Sequence, residues 1–107
     1  MRLLAHQLTP SEDQWYLEQR NAYLYRLSGH AIDRMKEKGI TPADVRLVFK
    51  DSYLVEVGDQ TGALCALWRT VDGVCVVLDL DHRQIKTVFL NHPNDNHVTL
   101  DYSKYGR

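Results

Sequence analysis

A chain of 107 residues, 44% hydrophobic and 25% charged, has the length for one domain with a single modest core and the composition of an ordinary soluble globular protein. A formal charge of −1 argues against a protein that coats nucleic acid non-specifically, because such binding is dominated by phosphate neutralisation. No apolar run approaches the roughly 20 residues of a membrane-spanning helix. The first residues show neither a sustained apolar segment nor a small-residue cleavage site, so the expected site of action is the cytoplasm.

Residues 1–50 hold eight Lys/Arg against six Asp/Glu, and residues 51–107 hold five against eight. The first half is therefore slightly basic, enough for a local anion site and no more. Thr9-Pro10-Ser11-Glu12 predicts a helix start, with Thr as N-cap, Pro at the first position and Glu three residues after the cap. That helix is expected to run to about Arg26, with Trp15, Leu17, Tyr23, Leu24 and Leu27 supplying apolar area. Ser28 caps a second helix that Gly39 stops, and Ala31, Ile32 and Met35 form its apolar stripe. Thr41-Pro42-Ala43-Asp44 starts a third helix, packed through Val45, Val48 and Phe49 and ending near Lys50.

After Asp51 the period changes. Tyr53–Val57 alternates and is rich in β-branched residues, Gly58-Asp59-Gln60-Thr61-Gly62 reads as a turn, and Leu64–Thr70, Val74–Leu80 and Ile85–Leu90 read as three further strands. Asp72-Gly73 predicts a two-residue hairpin turn between the central strands. In that register Cys65 faces Leu80 and Cys75 faces Thr70. Cys65, Leu67, Val76, Leu78 and Leu80 then share the face against the helices, and Leu64, Ala66, Trp68, Val77, Asp79 and Asp81 share the other. The two cysteines are about 17 Å apart along the ladder and point to opposite faces, so they are expected to be reduced core residues rather than a disulfide. Asn91–Asn96 reads as a polar loop, and His97–Tyr105 as a short extra strand or an ordered tail. The expected fold class is α+β, with two or three N-terminal helices packed on a four-stranded antiparallel sheet.

The stretch that carries chemistry is Ser28-Gly29-His30-Ala31-Ile32-Asp33-Arg34-Met35. His30 falls in the first turn of helix two, where the positive end of the helix dipole favours a neutral imidazole suited to general-base work. Arg34 lies one turn on, about 40° around the helix. A proton-transfer group beside an anion-binding group is what phosphodiester cleavage requires. Equally, His30 can bond a neighbouring loop and Arg34 a carboxylate. His6, His82, His92 and His97 lack metal-ligand spacing, so no metal is expected. Trp68, on the outer face and next to Arg69, can stack a base or be covered by another element.

These residues are joined by Gly39-Ile40-Thr41-Pro42-Ala43-Asp44-Val45 and Thr87-Val88-Phe89. Together they resemble a family of small bacterial domains marked by an S-x-H-A-x-x-R-M helix, a G-I-[ST]-x-x-D-V helix start and a late T-V-[FY] strand. The match spans residues 28–89, leaving 1–27 as an N-terminal helix outside it and 90–107 as a loop and tail of the same single domain. The family is similar to the barnase–EndoU–colicin–RelE ribonuclease superfamily. That resemblance implies cofactor-independent RNA cleavage by attack of the 2′-hydroxyl on the adjacent phosphate. His30 would be general base or acid, Arg34 would bind the phosphate and Thr87 would hydrogen-bond it from the last strand. Arg69 or Arg83 would add charge at the transition state, beside the substrate contact that Trp68 offers by its expected position on the outer face. Lys38 stands where the family usually has a second arginine; it keeps the charge but loses bidentate phosphate binding.

Two functional readings result. One is a RelE-like ribonuclease toxin cleaving tRNA or mRNA, acting in the cytosol, alone or delivered as part of a larger toxin, and neutralised by a cognate antitoxin or immunity protein. The other is a non-enzymatic binding module on the same fold, such as a phage or mobile-element protein that binds a host protein. Either is compatible with a homo-oligomer built through helix one.

Overall fold

The computed structural model describes residues 2–60 and 62–91. In chain order the elements are β1 (Arg2–Leu4), a single 3-10 turn at Ala5–Gln7, α1 (Pro10–Ala22), β2 (Arg26–Leu27), α2 (Gly29–Lys38), α3 (Pro42–Val48), β3 (Tyr53–Gln60), β4 (Ala63–Arg69), β5 (Val74–Asp79) and β6 (Gln84–Leu90). The class is α+β, but the sheet differs from the expected one. It has six strands in the order β1-β3-β4-β5-β6-β2, and β2 runs parallel to β6 while all other pairs are antiparallel. Among the described residues no helix is long and apolar enough to cross a membrane. The expected loop beyond Asn91 and the extra strand at 97–105 lie outside the described residues.

The helix starts follow their local chemistry. Thr9 Oγ1 accepts from the Glu12 amide at 3.2 Å while Glu12 Oε1 accepts from the Thr9 amide at 2.9 Å, which satisfies two donors that the helix itself leaves open. Thr41 and Asp44 repeat the arrangement at α3 (3.1 and 2.9 Å). Gly39 ends α2 in the left-handed region at φ 67°, a conformation that costs a residue with a Cβ.

Helix α1 stops at Ala22, four residues before its expected end, and Tyr23 is extended. No Gly or Pro marks the break. What stops the helix is the sheet: the Arg26 amide donates to Arg83 O and the Ser28 amide to Ile85 O, both at 3.1 Å. The Tyr25 hydroxyl, donating to Gln19 O at 2.7 Å, pins the returning chain against the helix it has just left.

The β4–β5 connection also departs from expectation. The Gly73 amide donates to Thr70 O at 3.0 Å, the Thr70 amide to Val74 O at 2.9 Å, and Gly73 has φ 92°. This is a three-residue loop closed by a left-handed glycine, not a two-residue turn. Pairing therefore shifts by one: Cys65 faces Asp79 and Cys75 faces Arg69. A one-residue slip exchanges the faces of a strand. Ala66 and Trp68 of β4 join Val76 and Leu78 of β5 on the helix side, in a cluster with Tyr16, Ala31, Met35, Val45, Val48, Ile85 and Val88. Cys65, Leu67, Cys75 and Val77 lie on the other face with Val55 and Phe89. The cysteines are free and buried, and they share one face, contrary to expectation. The expected turn at Gly58–Gly62 is shorter, since β3 continues through Gly58, paired with Cys65, to Gln60.

Candidate functional site

Ser28 fixes α2 to the sheet. Its hydroxyl accepts from the Ala31 amide at 3.0 Å, capping the helix, and donates to Lys86 O at 2.9 Å on β6. Ala31 and Met35 then turn into the core. His30, one residue before Ala31, is exposed. Arg34, one residue before Met35, lies down against the protein at 6% exposure, with Nη1 bound to Glu37 Oε2 at 2.8 Å. The spacing places the two residues one turn apart, as read from the sequence. Their surroundings differ, and the guanidinium already has a carboxylate partner.

Thr87 does not meet them. Along β6, Ile85 pairs with Leu78 and Thr87 with Val77, and the register shifts between those two pairs. Lys86 is thus an extra residue in the strand, a β-bulge. Simple alternation from Ile85 would bring Thr87 to the helix side; the bulge gives that place to Val88. Thr87 is left on the face shared with Val77, 1% exposed, and its Oγ1 has no hydrogen-bond partner among the described residues. The expected grouping of imidazole, guanidinium and threonine hydroxyl is corrected accordingly: two residues belong to one face of the sheet and the third to the opposite face.

The expected substrate-binding residues are also dispersed. Trp68 is not on the outer face; it is 3% exposed on the helix side, with the Arg20 guanidinium 4.8 Å from its ring centre. Arg69 lies across the sheet from it, Nε donating to Tyr53 Oη at 2.6 Å, and Nη1 without a partner among the described residues. Arg83 sits in the β5–β6 turn at φ 53°, its guanidinium 3.3 Å from the centre of the Tyr23 ring. Lys38 is exposed at the last residue of α2. Among the described residues no three His, Cys, Asp or Glu side chains converge on a point where a metal could bind.

One concave feature stands out, and sequence reasoning missed it. A cleft of about 660 Å³ opens between the end of α1, the segment 23–27 and α3. Its apolar surface comes from Leu24, Tyr25, Leu27, Val45, Phe49 and Ile85. Tyr25 and Phe49 stack at 5.8 Å and 30°, and burial pushes the Tyr25 hydroxyl up to about 12. Arg20, Arg46 and Lys50 supply charge, and among the described residues no carboxylate lines the cleft. Leu24 stands at the mouth, 94% exposed. The cleft borders the point where α1 ends at Ala22 and the chain turns back as segment 23–27. Only the Ser28 cap, which requires extended chain before it, hinted at the break.

The chain matches no protein-family model, no curated protein and no solved structure.

Proposed function

We propose that this chain is a non-enzymatic binding module that engages another protein through the cleft between α1 and α3. The observation that carries this reading is the separation of Thr87 from His30 and Arg34, because acid–base catalysis on a phosphodiester requires its groups within hydrogen-bond reach of one reacting centre. Arg34 is moreover occupied by Glu37. The cleft is mainly apolar with a few cations, the combination of apolar centre and charged edge found in protein-binding surfaces. An almost fully exposed leucine at its mouth gains from being covered.

The aromatic side chains at and beside the cleft favour protein over RNA as its partner. Sequence-tolerant RNA binding uses open aromatic faces on which bases stack. Here Tyr25 and Phe49 stack on each other, Arg83 covers Tyr23, and Arg20 covers a buried Trp68.

The test has two arms. Purified chain, incubated with total RNA and chelator, is expected to leave the RNA intact, and induced expression of wild type and His30→Ala is expected to affect growth alike. A photo-crosslinking residue at position 24 is expected to give protease-sensitive adducts in cell extract that position 72, at the far β4–β5 loop, does not. RNA cleavage abolished by His30→Ala would overturn the reading, as would adducts that form equally at both positions or not at all.

A further inference from the structure

The charge around the cleft points to the chemistry of its occupant. Among the described residues that line it, Arg20, Arg46 and Lys50 are the ionisable groups apart from tyrosines, and all three are cations. Arg20 is committed to the protein: Nε donates to Asn21 Oδ1 at 2.9 Å, and Nη1 donates to Ser52 O and Oγ at 3.2 and 3.0 Å. Arg46 and Lys50 are not. They are exposed, four residues apart at the end of α3, and make no ion pair among the described residues. A surface that groups apolar side chains with unneutralised cations discriminates by charge: carboxylates are drawn to it and ammonium groups repelled.

We infer that the cleft takes an acidic, aliphatic segment of a partner protein, whose leucine-like side chains cover Leu24 and enter between Tyr25 and Val45 while its carboxylates face Arg46 and Lys50. This rests on the protein-binding reading above and adds the chemistry of the partner. The apolar contact supplies holding strength, and the two cations set orientation and partner choice, because rim charges act chiefly on encounter and discrimination. The association therefore weakens with salt.

The probes are fluorescein-labelled peptides of about a dozen residues, measured by anisotropy against the full chain at low and high salt. One carries leucines spaced among glutamates; in the second, lysine replaces glutamate; in the third, serine replaces leucine; a single-stranded RNA of similar length is the fourth. The leucine–glutamate peptide is expected to bind about tenfold or more tightly than the others, and less tightly at high salt. Leu24→Ser and the pair Arg46→Glu with Lys50→Glu are each expected to weaken it at least about fivefold. These side chains are exposed, so the fold is not at risk, and circular dichroism verifies this for each variant.

Equal or tighter binding of the lysine peptide would overturn the inference. So would preference for the RNA, indifference to the three substitutions, concentration-dependent self-association that Leu24→Ser abolishes, or no binding of any probe. Failure here with position-24 adducts still forming removes the acidic partner and leaves the protein-binding reading standing. Failure of both removes both.

Discussion

The guanidinium of Arg20 lies 4.8 Å from the centre of the Trp68 ring, and both side chains are more than nine-tenths buried. One comes from α1 and the other from β4, so the contact fastens a helix poor in apolar residues to the sheet. Arg20 also donates twice to Ser52, the residue before β3. Arg20→Ala is expected to destabilise the protein by about 3 kcal/mol, and Arg20→Lys, which loses the planar stack and the fork of donors, by about half as much. Urea unfolding followed by tryptophan fluorescence measures both. A cost below about 1 kcal/mol for Arg20→Ala would show that α1 is held by other contacts.

Arg34 and His30 separate in the same kind of measurement. His30→Ala is expected to change stability by less than about 0.5 kcal/mol, as for an exposed side chain. Arg34→Ala removes a buried aliphatic stem as well as the Glu37 contact and is expected to cost about 1–2 kcal/mol. Glu37→Gln alone is expected to cost less than Arg34→Ala, because its side chain is 57% exposed. The reverse order, with His30 the costly position, would contradict the geometry of α2.

Both thiols are set against reaction. Burial pushes Cys75 up to about 12 and Cys65 up to about 11, so at neutral pH neither is a thiolate. A disulfide-exchange reagent at neutral pH is expected to react with neither until urea unfolds the sheet, and then with both. Fast labelling of the native chain would mean that the face carrying them opens locally.

The capping carboxylates give the acid limb its sign. Hydrogen bonds from the backbone amide and then the hydroxyl of Thr9 hold Glu12 below its ordinary 4.5, and those of Thr41 hold Asp44 below 3.8. A carboxylate whose value is depressed by folding contributes stability above its unfolded value and loses it as pH falls through the folded one. Melting temperature is therefore expected to fall from about pH 5 downward. The double variant Glu12→Gln, Asp44→Asn is expected to fall less steeply over that window. An acid limb of equal slope would place its origin in other carboxylates.

Gly73 tests the hairpin register. At φ 92° any residue with a Cβ is strained, so Gly73→Ala is expected to cost about 1–2 kcal/mol. Gly73→Asn is expected to cost less, because asparagine tolerates left-handed backbone better. Equal costs would point to a loop that rearranges.

What could be read from the residues was whatever depends on near neighbours. The caps at Thr9, Ser28 and Thr41, the stop at Gly39 and the switch to alternation after Asp51 all rest on interactions within a few positions, and all five hold in the fold. The misses share the opposite character. Arg26–Leu27 is a strand only because Gln84–Ile85 lies beside it, and two residues cannot display a period. Asp72-Gly73 fits either a two-residue or a three-residue loop, and the choice moved Ala66 and Trp68 across the sheet. The bulge at Lys86 has no local signature, yet it decides which face Thr87 takes and so whether the three expected groups can meet. The cleft was invisible for the same reason: it borders a helix that ends where distant partners require.

Both outer strands of the sheet come from residues 2–27: β1 flanks β3 on one side and β2 flanks β6 on the other. During synthesis residues 26–27 therefore emerge long before their neighbours at 84–85. The early segment must wait, unpaired, until nearly all of the described polypeptide has left the ribosome. Assembly is then a late, concerted event dominated by sequence-distant pairing, which makes for slow folding and leaves any product that stops short of Gln84 without a seat for Arg26–Leu27.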